Sequence, residues 1–542
     1  MVRRFCFILT LLMMVVCRPA FAADEVDSLI NQLPHKTLRN ITPLLDQIAG
    51  HKDEKVRFVL TEILNGDLYY LKSNRQVVSV RKSDSGDYKL TDVLSLSVLT
   101  QDGKPSIKKI RTSNRIRSHI RGLLAQIDLT HDSKAVRLAA VQEILENIDE
   151  DTVALIKKHQ SNEQDSEIKE LMATAVALYQ LNEGAAKEKI AAVTALKESL
   201  QPEVRNAMQV QLNRLAEIEK TELTKDDRAL QKALTSAVDS IKQKRKFYEF
   251  IENLFFGLSL GSVLLLAAIG LAITFGVMGV INMAHGEMIM LGAYTTYVIQ
   301  QMFPQWIDYS LFIAIPAAFI VSGSVGILIE RGVIRFLKGR PLETLLATFG
   351  ISLILQQVVR SVFSPLNRTV AAPEWMSGSW QINPIFSLTF NRLYIILFAL
   401  AVFFALLAFM KRSSLGLHVR AVAQNREMAR ALSVRSDRVD AITFGLGSGI
   451  AGIAGVVLSQ LTNVGPNLGQ SYIIDSFLVV VFGGVGNLWG TLVAAMSLGT
   501  INKFLEPVTG SVLATIIVLV GLVLFIQKRP KGLFPQKGRA AE

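Results

Sequence analysis

Three side chains able to do chemistry stand close together in a stretch almost free of other charge. The run Gly279-Val280-Ile281-Asn282-Met283-Ala284-His285-Gly286-Glu287-Met288 supplies an amide, an imidazole and a carboxylate, while no Lys or Arg occurs in the 76 residues from Leu254 to Ile329. Such groups are costly in hydrocarbon, so they line a cavity or pair with one another. Asn282 and His285 fall on one helix face, and Gly286 permits a break that frees backbone carbonyls for Glu287 or a solute. The competing reading is a turn on the cytoplasmic side, with Glu287 among lipid headgroups.

No catalytic constellation accompanies them. His35, His51, His119, His131 and His159 are scattered without metal-ligand spacing. Cys6 and Cys17 both lie in the first 22 residues. No Walker-type P-loop is present, so any ATP energy would have to arrive through a partner. Gly447-Ser448-Gly449-Ile450-Ala451-Gly452 has dinucleotide-fingerprint spacing but lacks the soluble strand before it and the acidic residue after it. Neither a cofactor nor a metal is expected. Gly445, Gly449 and Gly452 read instead as small residues that let spanning helices approach closely. Gly483, Gly484 and Gly486 interrupt another apolar run near Asp475, as a broken helix or re-entrant hairpin would.

One loop, residues 411–438, is basic yet carries a helical stripe of small and apolar groups. Ala421, Asn425, Met428 and Leu432 share a face, a pattern suited to docking in a groove on a soluble partner. An ordinary interfacial helix is the alternative.

The elements that hold these residues are set by composition. Of 542 residues 19% are charged, and the net charge of +12 is localised: +3 over residues 1–22, zero over 23–253 and +9 over 254–542. Nucleic-acid binding is therefore not needed to explain the basic balance. Apolar segments at Leu254–Phe275, Met288–Phe303, Leu311–Ile329, Leu342–Phe363, Leu393–Met410, Ala441–Leu461, Phe477–Leu505 and Ser511–Ile526 give about 8 membrane segments. Sixteen of the section's 20 basic residues fall in three loops, 331–340, 411–438 and 528–539, which the positive-inside rule places in the cytoplasm.

Residues 1–22 read as a cleavable export signal, or as an uncleaved anchor, and either one exports the residues after it. Counting spans back from Arg331 also puts residues 23–253 outside, so parity and signal agree. The basic run at Lys242, Lys244, Arg245 and Lys246 is a headgroup-facing collar or a solvated helix end. Val136-Arg137-Leu138-Ala139-Ala140 recurs loosely from Ile168 and from Val204, offsets of 32 and 36 residues, which suggests a short HEAT-like helical solenoid. Between Gly66 and Leu99 the period becomes alternating, and a small strand insertion fits there. The expected fold class is all-α, with a polytopic helical membrane section after a mostly helical exported domain.

The 411–438 loop, together with Gly279 to Gly292, Arg331 to Arg335, Ala347-Thr348-Phe349-Gly350 and Arg529-Pro530-Lys531-Gly532-Leu533-Phe534, resembles the branched-chain amino-acid type permeases of ABC importers. Ile281 to Tyr297 and the leading helical domain resemble, within that family, the first permease subunit of urea importers. The resemblance implies a bacterial inner-membrane permease with a second related permease, two cytoplasmic ATPases and a periplasmic solute-binding protein. It also implies that Arg420 to Leu432, including Ala421, Asn425, Met428, Ala429 and Leu432, forms the coupling helix received by an ATPase. The family usually has glycine after the last leucine of this helix, whereas Leu432 is followed by Ser433, which can still end a helix but adopts the left-handed conformation less readily. For urea, a small neutral solute, Asn282, His285, Tyr294 and Thr295 would supply hydrogen bonds along the path, with Glu287 beside them. The same side chains could instead tie helices together. A branched-chain amino acid is the alternative solute, and a membrane sensor is a third reading that lacks a cytoplasmic signalling domain.

Overall fold

The computed structural model describes residues 20–38, 40–51, 53–82, 88–99, 106–218 and 224–534. Nearly all of the expected export signal, both cysteines, the turn at Ser83 to Asp87, and Lys537 and Arg539 of the last basic loop lie outside those residues. The chain divides into two compact units, one ending at Gln243 and the other beginning at Lys244. This division falls inside a single helix, Lys225–Met278, ahead of the change in composition at residue 254.

In the leading unit, helices flank a five-stranded antiparallel sheet whose order is Val98–Leu99, Tyr88–Asp92, Val77–Lys82, Leu68–Leu71, Ile107–Lys109. Alternation puts Val78, Val80 and Leu90 into a small core of their own. Glu62, buried below the sheet, accepts from Ser79 and Arg81. The recurring segments occupy equivalent places, since Val136, Ile168 and Val204 are each the third residue of a helix: Lys134–Glu146, Ser166–Glu183 and Pro202–Glu217. The helices Glu150–Gln160 and Ala186–Leu196 alternate with them. Ile168 and Val204 are fully buried in one continuous core, and each such side chain contributes about 1.5–3 kcal/mol. Caps set the helix starts: Asp165 accepts from the amides of Glu167 and Ile168, and Asp149 forms a capping box with Thr152.

The second unit is a bundle of membrane-type helices. Six described helices are long and apolar enough to cross a membrane: Lys225–Met278, Pro304–Gly332, Pro341–Phe363, Phe390–Arg412, Ser436–Ser459 and Ser511–Lys528. The helix His285–Met302 is buried among them. The expected segment Phe477–Leu505 is two helices, Leu468–Gly483 and Leu488–Thr509. Gly484 and Gly486 at the corner have φ of 101° and 79°, a left-handed backbone that glycine adopts without strain. Asn487 then caps the next helix by accepting from the Gly490 amide at 3.2 Å. A two-stranded hairpin, Ser379–Gln381 with Ser387–Thr389, lies in the connection before Phe390 and had no clear alternating signal.

The fold is thus a polytopic helical membrane bundle behind a mostly helical unit that carries a sheet.

Candidate functional site

The long first helix ends at Met278, and the chain runs without regular structure from Gly279 to Ala284 before helix His285–Met302 begins. Gly279, with φ of 66°, lies at that exit. The break therefore precedes Gly286, correcting the expectation that Gly286 forms it. Gly286 sits inside the helix, where a Cβ would come 2.6 Å from the Gly469 carbonyl oxygen, so close packing rather than a break calls for glycine there. Asn282 lies in the irregular segment rather than on a helix face with His285. Its Oδ1 accepts from the Ala284 amide at 3.0 Å.

All three chemical groups are buried. Nε2 of His285 is 2.9 Å from the carbonyl oxygen of Ala267, joining the new helix to the one just left. Glu287 turns instead to helix Pro341–Phe363: Ser352 Oγ and Gln356 Nε2 donate to its Oε1 at 2.9 and 2.8 Å. On the same seam Thr348 Oγ1 accepts from the Met283 amide at 3.1 Å, and the Tyr294 ring stacks obliquely on Phe363, centroids 4.8 Å apart. Thr295 satisfies itself on the Leu291 carbonyl.

Sequence reasoning missed the opposing stripe. Thr344, Thr348, Ser352 and Gln356 recur every four residues on an otherwise apolar helix and are all buried. That spacing, a polar ridge in a spanning segment, was the available signal. Among the described residues Asn282 Nδ2, His285 Nδ1, Glu287 Oε2 and Tyr294 Oη have no hydrogen-bond partner. An unmet buried group costs about 1–3 kcal/mol, and these four lie along one helix and the break before it, with others at Glu330, Thr443, Ser448 and Gln460 elsewhere in the bundle.

Elsewhere the helix His285–Met302 is locked by backbone contact. A Cβ on Gly292 would run into the carbonyl of Gly452, one on Gly455 into that of Ile289, and one on Gly447 would come 2.6 Å from the Gly270 oxygen. Gly445 and Gly449 do the same against Ile327 and Phe319 of the helix Ser310–Gly332. Gly483 packs on the backbone of Gly490 across the glycine corner. Three helices thus form a tight core, whereas the seam with Pro341–Phe363 is bridged by side chains.

The 411–438 loop is not one helix from Arg420 to Leu432. Two helices, Ser414–Gln424 and Arg426–Ala431, meet at Asn425, whose side chain accepts from the Met428 amide at 2.9 Å and starts the second. Its apolar residues divide between two faces: Ala429 is buried with Val419 and Val422, and Ala421 packs beside them, while Met428 and Leu432 are 59% and 73% exposed. Arg420 donates to the Met410 carbonyl. Ser433 takes φ of 67°, so the left-handed exit is kept with serine where glycine was expected.

A buried ion network, also missed, fastens this loop. Asp440, fully buried, receives Lys338 Nζ at 2.7 Å and Arg426 at 2.6 and 3.1 Å. Arg430 donates to Ser436 at 2.7 Å. The open cleft beside them, about 560 Å³, is lined by Arg331, Arg335, Arg435 and Arg438 among others.

Residues 253–527 match the family described as branched-chain amino acid transport system / permease component. The high-affinity branched-chain amino acid transport system permease protein BraD of Pseudomonas aeruginosa is 29% identical over 299 residues, covering 53% of this chain and 96% of that protein. The corresponding LivH of Salmonella typhimurium is 30% identical over 298 residues, with the same coverage. The ribose import permease protein RbsC of Escherichia coli is 26% identical over 273 residues, 47% of this chain and 78% of that one. No solved structure matches. The family match begins at residue 253, leaving the leading unit outside it, and takes in the broken segment, the polar seam and the fastened loop together. By that match the chain belongs to the family of branched-chain amino-acid transport permeases and is a permease subunit of an ABC transporter of that type.

Proposed function

We propose that this chain is an inner-membrane subunit of an importer that conducts a small polar solute bearing N–H groups, and that the solute is urea or a short amide. The observation that carries the conduit is the polar seam: Glu287 facing Ser352 and Gln356 inside apolar helices. A path for a neutral amide needs donors and acceptors rather than a counter-charge, and the unmet groups of Asn282 and Tyr294 are of that kind. The urea assignment draws further support from the resemblance of Ile281 to Tyr297 and of the leading unit to urea-importer permeases.

Two observations favour a branched-chain amino acid instead. The relatives' names specify it, and the similarity to them weighs toward it. Arg360 also stands one turn beyond Gln356 on the seam helix, donating to Asn467 at 2.8 Å, where a cation for a solute carboxylate would be useful.

The partners in this reading are a second related permease, two cytoplasmic ATPases that supply the energy, a periplasmic binding protein and the membrane lipid. The exposed Met428 and Leu432 dock in an ATPase groove. Arg426 and Asp440 pass the movement to the helix Ser436–Ser459. Residues 23–253 form an exported, HEAT-type stack on the periplasmic side, following a signal at 1–22. The test is uptake of radiolabelled urea and leucine, each in competition with the other, by source cells with and without the gene. Loss of urea uptake alone supports the amide reading, loss of leucine uptake alone supports the second, and loss of neither removes both.

A further inference from the structure

The geometry points to Glu287 Oε2 as the atom that receives an N–H group of the passing solute, making this carboxyl group a specificity determinant of the path; the inference rests on the conduit reading above. Glu287 is 1% exposed, and its two oxygens are treated differently. Oε1 is saturated by two donors, Ser352 Oγ and Gln356 Nε2, which come from successive turns of one helix and fix the plane of the group. Oε2 has no partner among the described residues. Here one end is built and the other is left as an unused acceptor in a dehydrated setting, where an N–H donor is worth more than in water.

The seam can also admit a guest. On its other sides the helix His285–Met302 packs backbone to backbone at Gly292 and Gly455, which leaves no room between the helices there. Toward Pro341–Phe363 it is held by side-chain hydrogen bonds, which can be exchanged one for one with those of a solute. Tyr294 Oη, two turns from Glu287 on the same helix, is likewise unmatched and stands as the next station. The ligand class is an N–H donor. The amide of urea and the ammonium of an amino acid share that chemistry, and carry it to the same oxygen.

The decisive substitution is Glu287→Gln, which keeps size and burial but offers one acceptor where the carboxylate offers two. Source cells carrying it on the chromosome are expected to hold normal amounts of the chain in the membrane and to lose uptake of the transported solute by roughly tenfold or more. Running urea and leucine as separate arms tells which N–H donor uses the site. Uptake at the wild-type rate and KM in Glu287→Gln overturns the assignment and leaves the conduit reading standing. Absence of gene-dependent uptake of either solute in unsubstituted cells removes the conduit reading itself. Should Glu287→Gln not reach the membrane, Ser352→Cys, made with Cys6 and Cys17 changed to Ser, reads the same seam. Its thiol is expected to react with a small neutral methanethiosulfonate during ATP turnover and to be protected by excess solute. A thiol that stays unreactive throughout turnover, or reacts equally with solute present, overturns the proposal.

Discussion

Arg426 lays both terminal nitrogens of its guanidinium on the carboxylate of Asp440, at 2.6 and 3.1 Å, and Asp440 has no exposure to solvent at all. Lys338 reaches the same carboxylate from the preceding loop at 2.7 Å. Two connections, the one that carries Lys338 and the one that carries Arg426, are thereby tied to the start of the helix Ser436–Ser459, the helix whose glycines grip His285–Met302. In the coupling proposed above, a push on the loop reaches that helix through Asp440.

Asp440→Asn is therefore expected to uncouple the transporter. The amide leaves Arg426 facing a neutral group while Lys338 keeps Asp437 at 3.1 Å, and with the two cations 29% and 26% exposed the cost falls below the roughly 3–5 kcal/mol of breaking a fully buried pair. Solute uptake should fall by more than the ATP hydrolysis of the assembled complex does. The swap Arg426→Asp with Asp440→Arg, made together with Lys338→Ala so that the new arginine meets no like charge, restores one pair and should recover some of the uptake. Uptake and hydrolysis falling in equal proportion in Asp440→Asn, with no recovery in the triple variant, would show that the network is only structural.

Met428 and Ala421, expected from spacing to share a docking face, behave as different positions. Met428 stands 59% exposed, whereas Ala421 packs beside buried Val422. Met428→Asp should leave the chain inserted yet reduce copurification of the ATPase about tenfold, since losing one exposed apolar anchor is worth about 1–2 kcal/mol. Ala421→Asp buries a charge and should lower the amount of folded chain instead. Equal copurification of wild type and Met428→Asp, measured by quantitative immunoblot, would remove that face from the interface.

In the leading unit the pair Arg137 and Glu163 predicts a pH response. Burial alone would raise the Glu163 carboxyl, but Arg137, donating at 2.9 and 3.2 Å, and the amides of Gln164 and Asp165 outweigh it and hold it below the usual carboxylate range. A depressed folded-state value means that the unfolded chain binds the proton more readily. The stabilisation is thus fully present above the ordinary carboxylate value, about 4.3, and is lost as pH falls through the lower folded-state value. Hydrogen exchange of the helix Ser166–Glu183, corrected for intrinsic rate, should accelerate over that acid window. Arg137→Ala should shrink the acceleration, and an unchanged profile would show that the pair contributes nothing.

What could be read from the chain alone was whatever repeats locally. The glycines at 445, 449 and 452 recur at helical spacing, and that period needs no partner to be visible. Glu287 was conspicuous because a charge in an apolar run is conspicuous, yet its partners lie 65 and 69 residues away. Lys338 and Asp440 are 102 residues apart, and each alone looks like a loop charge. The break was misplaced for a related reason. Gly279 and Gly286 are equally able to end a helix, and only the approach of Gly469 explains why the second does not.

The glycine core makes the last prediction, which separates packing from conduction. Gly452 faces Ala318 and Ser322 on one side and receives Gly292 on the other, so any side chain there must push the neighbouring helices apart. Gly452→Val should destabilise the bundle by about 1–3 kcal/mol or more, the usual cost of overpacking, and raise the fraction lost on detergent extraction. Gly350, on the seam helix, has nothing within 4 Å of an added Cβ, so Gly350→Ala should be extracted like the wild type. Matching thermal stabilities for the two variants would mean that the close approach of His285–Met302 to Ser436–Ser459 is not what holds the bundle. The seam would then lose the rigid wall against which Glu287 is positioned.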